Sequence, residues 1–153
     1  MTSFLITHGE RFFGPNPVHK QEGIEQIKDL QIPADISLVV IGTGARFKEI
    51  YEVIKPHVDG VPVKYSPFCG SADGLEADYN VILVDGTLVD LKNDYISLGA
   101  PCFDAWKFVS DLPDRTLLCA GGELLIALGL KAINEKGQLY ELDPETATGK
   151  KIS

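Results

Sequence analysis

Three short segments carry the residue types from which a small anion could be held: Thr7-His8-Gly9-Glu10, Gly42-Thr43-Gly44-Ala45-Arg46 and Ala120-Gly121-Gly122-Glu123. Each follows an apolar run that reads as a buried strand, and two lead quickly into helical patterns. Helix N-termini offer backbone N–H groups and the positive end of the helix dipole, which favour an anion. Glycine lets a ligand oxygen approach the backbone closely. The His8 imidazole and the Arg46 guanidinium, brought to the same rim, would complete a phosphate site, because guanidinium grips phosphate with two parallel donors. Each residue also has an ordinary reading. His8 could be a polar loop residue that satisfies neighbouring backbone. Arg46 could be an exposed first-turn residue paired with Glu49 or Glu10, and Gly121-Gly122 a tight strand-to-helix turn. Their common placement at strand ends, where open α/β sheets bind ligands, argues for one shared pocket.

The elements that must position these residues alternate along the chain. Residues 3–7 read as a short buried strand, followed by a Pro/Gly-rich polar loop to about Val18. Ile24, Ile27 and Leu30 recur at helical spacing within residues 19–31. Ser37–Ile41 is an unbroken apolar run ended by Gly42-Thr43-Gly44, as expected of a parallel strand covered on both faces. A helix with Phe47, Ile50, Tyr51 and Ile54 on one side follows and stops at Pro56. Val61–Tyr65 is a strand, and a loop of Ser, Gly, Asp and Pro then runs to about Ala77. Asn80–Val84 and Thr87–Leu91 flank Asp85-Gly86, a tight-turn dipeptide. A helix is expected near Phe103–Leu112 with Trp106 and Val109 inward, a buried strand at Thr116–Cys119, a helix at Glu123–Lys131 and a last strand at Gly137–Leu142. Residues 143–153 read as a flexible polar tail. The whole implies one domain, residues 1–153, of α/β class. It is a three-layer α/β/α sandwich with a mostly parallel sheet, to which the Asp-Gly hairpin supplies an antiparallel member.

Composition bounds the function. The chain has 153 residues, 44% of them hydrophobic, enough for one domain that buries roughly 70% of its unfolded surface without disulfides or a structural metal. With 22 acidic against 14 basic residues its net charge is −8, which argues against wrapping nucleic acid or lying on an anionic membrane. Met1–His8 carries no basic leader or long apolar run, so no signal peptide is expected. No apolar stretch nears the ~18 residues of a membrane helix. Cys69, Cys102 and Cys119 are odd in number and widely spaced, and read as reduced thiols of a cytoplasmic protein. Cys69 beside Gly70 and Cys102 beside Pro101 are candidates for a reactive thiol. The ordinary reading is that of small buried apolar side chains.

Two rival motifs each lack a residue they need. Gly42-Thr43-Gly44 resembles the start of a dinucleotide loop, but Phe47 stands where the third glycine belongs. Leu83–Asp90 resembles the Asp-x-Asp-Gly-Thr motif of haloacid-dehalogenase-like phosphatases, yet Leu83 stands in place of the nucleophilic Asp. No His, Cys or carboxylate spacing supports a metal site, and no cofactor is expected.

The order and spacing of the three segments resemble the histidine phosphatase (phosphoglycerate-mutase-like) superfamily over nearly the whole chain. Phe4–Glu10 is similar to that family's first strand ending in Arg-His-Gly, and the helix around Gly23–Ile27 to the helix after it. Val39–Phe47 resembles the second strand with its helix-opening Arg, and Leu117–Gly122 the late strand ending in His-Gly-Gly. The resemblance implies that His8 is the phosphoryl acceptor and that Arg46 clamps the phosphoryl group. Thr7, Gly9, Thr43, Gly121 and Gly122 would line the rest of the phosphate site. Asp73 or Glu76, in the loop after the third strand, would be the acid/base carboxylate. Thr7 stands where the family has its first Arg, and Ala120 where it has its second His, so two of four pocket side chains are replaced. Arg11, His19 or Lys20 folded over His8 could substitute for them. The resemblance therefore implies a degenerate member of the family, non-catalytic or weakly active, with a residual anion pocket for phosphate or a small phosphorylated molecule. The alternative is an active phosphomonoester hydrolase working through a phosphohistidine on His8. A binding protein that works through its acidic surface is a third reading, and a homodimer is left open.

Overall fold

The computed structural model describes residues 1–13, 17–42, 44–66, 69, 80–82, 88–90, 105–121, 124–125, 128–130 and 136–153. The apolar runs read from the sequence form its central strands. β1 (Ser3–Thr7), β2 (Leu38–Gly42) and β6 (Thr116–Ala120) are buried at every position, as strands covered on both faces must be. Together with β3 (Val63–Ser66), β7 (Leu139–Asp143) and β8 (Thr148–Lys151) they make a six-stranded sheet of order β3-β2-β6-β1-β7-β8. The pairings β3–β2, β2–β6 and β6–β1 are parallel, and β1–β7 and β7–β8 antiparallel.

Alternate residues of the central strands face opposite layers. Phe4, Ile6, Val39, Ile41, Leu117 and Cys119 pack against Ile27 of α1 (Gln21–Lys28) and Phe47, Ile50 and Ile54 of α2 (Ala45–Ile54). Leu5, Val40, Leu118 and Ala120 pack against Ala105 and Val109 of α3 (Ala105–Ser110), and against Leu124, Leu125 and Leu128. The architecture is thus a three-layer α/β/α sandwich with a mostly parallel sheet. Trp106 is half-buried and donates its indole N–H to the Leu128 carbonyl at 3.0 Å.

Two expectations are corrected. The Asp-Gly hairpin does not supply the antiparallel member of the main sheet. Its strands, β4 (Asn80–Ile82) and β5 (Leu88–Asp90), pair in register as a separate two-stranded sheet, and Asp85-Gly86 lies outside the described residues. The antiparallel members are β7 and β8. The segment read as a flexible tail therefore forms an edge strand. Asp143 turns the chain by accepting the Glu145 N–H on its Oδ1 at 3.0 Å. Gly149 then lies so close over Leu142 and Leu130 that a β-carbon there would stand 2.6 Å from Leu130 Cδ1. Thr148-Gly149-Lys150-Lys151 has no apolar alternation to reveal a strand, and Lys at a sheet edge discourages further pairing.

Candidate functional site

The sheet brings the carboxyl ends of β1, β2 and β6 side by side. His8, the residue after β1, falls on the α1/α2 side of the sheet, its ring centroid 6.3 Å from that of Phe47. Its Nδ1 lies 2.9 Å from the Gly9 carbonyl oxygen. A carbonyl can only accept, so Nδ1 carries the proton and the lone pair of the neutral ring is on Nε2. Burial lowers the His8 pKa to about 4, opposed by that carbonyl bond and aided by the positive charges of Arg46, Lys136 and Arg11. His8 is therefore a neutral imidazole at pH 7, with an unprotonated Nε2 in the field of three cationic side chains.

The loop after His8 folds back over the start of α1. Arg11 and His19 form an antiparallel bridge, and the Lys20 N–H donates to the Glu10 carbonyl at 2.9 Å. Gly9 and Gly23 meet backbone to backbone, and a β-carbon on Gly9 would stand 2.6 Å from Gly23 Cα. The side chain of His19 is fully buried. Its Nε2 accepts the Gly9 N–H at 2.9 Å, and its Nδ1 lies 3.1 Å from Glu49 Oε1, which also accepts the His19 backbone N–H at 2.8 Å. Burial lowers the His19 pKa and Arg46 adds to this, while the bond to Glu49 and its charge oppose it.

Arg46 opens α2. It is 2% exposed, with its guanidinium 4.4 Å from the centre of the Phe47 ring. The reading as an exposed first-turn residue is thereby replaced, because the helix turns this side chain inward against an aromatic face that suits a delocalised cation. Gly44 caps α2 with φ 123°, which a side chain would strain.

The structure places the remaining sequence candidates less centrally. Thr7 is buried, and its Oγ1 accepts the Gln138 N–H at 3.0 Å, so it extends the β1–β7 edge. The Gly121 N–H donates to the Cys69 carbonyl at 3.0 Å, and that of Gly9 to His19, so neither amide is left for an anion. Thr43, Gly122, Asp73 and Glu76 lie outside the described residues. Of the three residues named as substitutes, Arg11 acts on His8 and His19 holds the loop. The Lys20 ammonium lies 5.8 Å from the Phe12 ring. Lys136 is not legible in the sequence as a site residue. It arrives because the Gly137 N–H donates to the His8 carbonyl at 2.9 Å, with Gly137 at a positive φ of 61°. Cys69 and Cys119 are fully buried, and burial raises both thiol pKa values, so these thiols stay protonated and unreactive. Cys102 lies outside the described residues. Among the described residues, no group of three or more His, Cys, Asp or Glu side chains is placed to hold a metal ion, and no helix is long and apolar enough to cross a membrane.

No protein-family model and no curated protein sequence matches the chain. Solved structures do. The TTHB049 protein of Thermus thermophilus superposes with a TM-score of 0.58 at 16% identity, over 94% of this chain and 93% of that one. A protein described as the phosphohistidine phosphatase SixA of Agrobacterium tumefaciens gives 0.54 at 13% identity, over 99% and 95%. Phosphoglycerate mutase of Thermus thermophilus gives 0.54 at 17% identity, over 94% and 93%. The chain has the fold of the histidine phosphatase (phosphoglycerate-mutase-like) superfamily.

Proposed function

We propose that the chain binds the phosphate group of a small phosphomonoester at His8, with Arg46, Arg11 and Lys136 as counter-charges, and that it turns the ester over weakly. The environment of His8 carries this reading. A buried neutral imidazole with its proton fixed on Nδ1 by Gly9 presents the lone pair of Nε2, and three cations lie near enough to depress its basicity. Such a group suits a phosphorus electrophile whose oxygens are neutralised by the surrounding charge. Turnover would run in two steps. Nε2 attacks phosphorus as the ester P–O bond breaks, and the leaving oxygen takes a proton from Asp73 or Glu76. Water, giving a proton back to that carboxylate, then adds to phosphorus as the P–N bond breaks, releasing orthophosphate and freeing Nε2. Weak turnover follows from Thr7 and Ala120, which remove one donor fork and one imidazole from the pocket. Each loss is worth about a thousandfold in rate where no neighbour compensates.

The test is hydrolysis of an aryl phosphate across pH 4–8, together with titration of inorganic phosphate followed by ³¹P NMR. The full chain, His8→Ala and Arg46→Ala are compared. The expected result is slow hydrolysis abolished by His8→Ala, and phosphate binding weakened at least ~10-fold by Arg46→Ala, the loss of one charge-assisted contact. Equal background rates in all three, with no phosphate binding by the full chain, would overturn the reading. A second reading, an efficient phosphatase, is favoured by one observation, the positive charge that Arg11 and Lys136 bring to His8. It predicts fast turnover in the same assay.

A further inference from the structure

We propose that His19, held by Glu49, is a positioning residue that fixes the amide side of Gly9, as Gln26 fixes its carbonyl side, and thereby the Nδ1–H tautomer of His8. The geometry is a chain of directed hydrogen bonds. Glu49 Oε1 accepts from His19 Nδ1 at 3.1 Å and from the His19 backbone N–H at 2.8 Å. Because Nδ1 donates, Nε2 of the neutral ring must be the acceptor, and it takes the Gly9 N–H at 2.9 Å. The Gly9 carbonyl accepts Nδ1–H of His8 at 2.9 Å. Glycine has the widest choice of φ and ψ of any residue. The two peptide groups that flank Gly9 are held separately: His19 takes the N–H of the His8–Gly9 peptide, and Gln26 Oε1 takes the Glu10 N–H of the Gly9–Glu10 peptide at 2.9 Å. Loss of the His19 bond therefore frees φ of Gly9 and lets its carbonyl shift from His8. Its close crossing with Gly23 forbids a side chain that would restrict it. The restriction is supplied instead by these two bonds, and the one to His19 lies inside the fold, where its side chain meets no solvent to compete for Nε2. Neither His19 nor Glu49 needs to touch a substrate for this. Their role is to decide on which nitrogen His8 keeps its lone pair, as an orienting third group does for a base.

The consequence for phosphoryl transfer rests on the proposed reading of His8, but the tautomer does not, and the experiment reads the tautomer. The full chain labelled with ¹⁵N is studied by NMR of its imidazole nitrogens at neutral pH without phosphate, beside His19→Ala, His19→Gln and Glu49→Ala. The expected result for the unsubstituted chain is His8 wholly as Nδ1–H, with a slowly exchanging Gly9 amide. His19→Ala and Glu49→Ala move His8 to a mixture of tautomers and speed Gly9 amide exchange at least tenfold. His19→Gln restores both, because its amide can accept from Gly9 and donate to Glu49. A His8 that stays wholly Nδ1–H in folded His19→Ala, or in Glu49→Ala where the first variant does not fold, overturns the proposal. Failure of phosphate to bind the unsubstituted chain counts against the proposed function alone and leaves the tautomer result standing.

Discussion

Thr7 and Ala120 face each other on the last rung of the parallel ladder between β1 and β6, both buried. They are also the two positions at which the family resemblance expects an arginine and a histidine. The two departures from that resemblance therefore lie side by side at one place in the sheet. Ala120 has joined the core beside Leu5 and Leu118, and Thr7 has turned its hydroxyl to the Gln138 N–H. Neither side chain is charged, and the positive charge that acts on His8 comes from Arg46, Lys136 and Arg11.

Placing an arginine at position 7 alone should therefore harm the protein. Thr7→Arg would put a guanidinium where the chain holds a small hydroxyl, and would take the acceptor away from a part-buried Gln138 N–H. A buried cation without a partner and an orphaned donor together cost about 3 kcal/mol or more. Urea denaturation should show this as a lower midpoint without a gain in aryl-phosphate turnover. An unchanged midpoint together with faster turnover would mean that the end of β1 opens onto the pocket with room to spare.

A second prediction concerns the crossing that seats the loop. A β-carbon on Gly23 would stand 2.7 Å from the Glu10 nitrogen and 3.0 Å from its carbonyl carbon, and both neighbours are backbone. Gly→Ala inside a helix ordinarily gains up to ~1 kcal/mol of helix propensity. At Gly23 the clash should outweigh that gain and leave Gly23→Ala about 2 kcal/mol less stable, in the range of overpacked cores. The same substitution at Gly60, where no atom lies near but φ is 76°, tests backbone strain without crowding and should cost about 1 kcal/mol. Urea midpoints of the two variants rank the effects, and a harmless Gly23→Ala would show that the loop yields.

The chain's periodicity reveals much of this architecture, and its limits have physical causes. Continuous apolar runs in β1, β2 and β6 mark strands buried on both faces, and Phe47, Ile50 and Ile54 mark the inner side of α2. The three strand ends that bear His8, Arg46 and Gly121 are visible for the same reason. Pairing is not, because hydrophobic alternation reports which face is buried and not which strand lies alongside. β8 is held by ladder bonds and an Asx turn, with Lys150 and Lys151 exposed, so it looks like a tail. His19 and Glu49 are legible singly, but only the fold turns them toward each other.

Acid should loosen the site in a predictable direction. His8 titrates near 4 in the folded chain against 6.5 for an ordinary histidine, and the His19 pKa is lowered as well. Below pH 6.5 the unfolded chain binds protons that the folded chain refuses, so stability falls with pH. The contribution is fully present above about pH 6.5 and is lost progressively as pH falls through about 4. For His8 alone it amounts to roughly 3 kcal/mol at the limit, since each tenfold change in proton affinity is worth about 1.4 kcal/mol. The groups facing His19 set where its own part is lost: Glu49 and Arg46 of α2, His8 at 6.2 Å, and its bridge partner Arg11. Protonation there puts a hydrogen on Nε2 against the Gly9 N–H, two donors face to face. Urea midpoints at pH 7 and pH 4.5, taken for the full chain and for His8→Gln, isolate the His8 share because the carboxylates titrate in both. The substituted chain should lose about 2 kcal/mol less between the two pH values. Equal losses in both chains would show that His8 binds its proton as readily folded as unfolded, and that its surroundings are wetter than its burial implies.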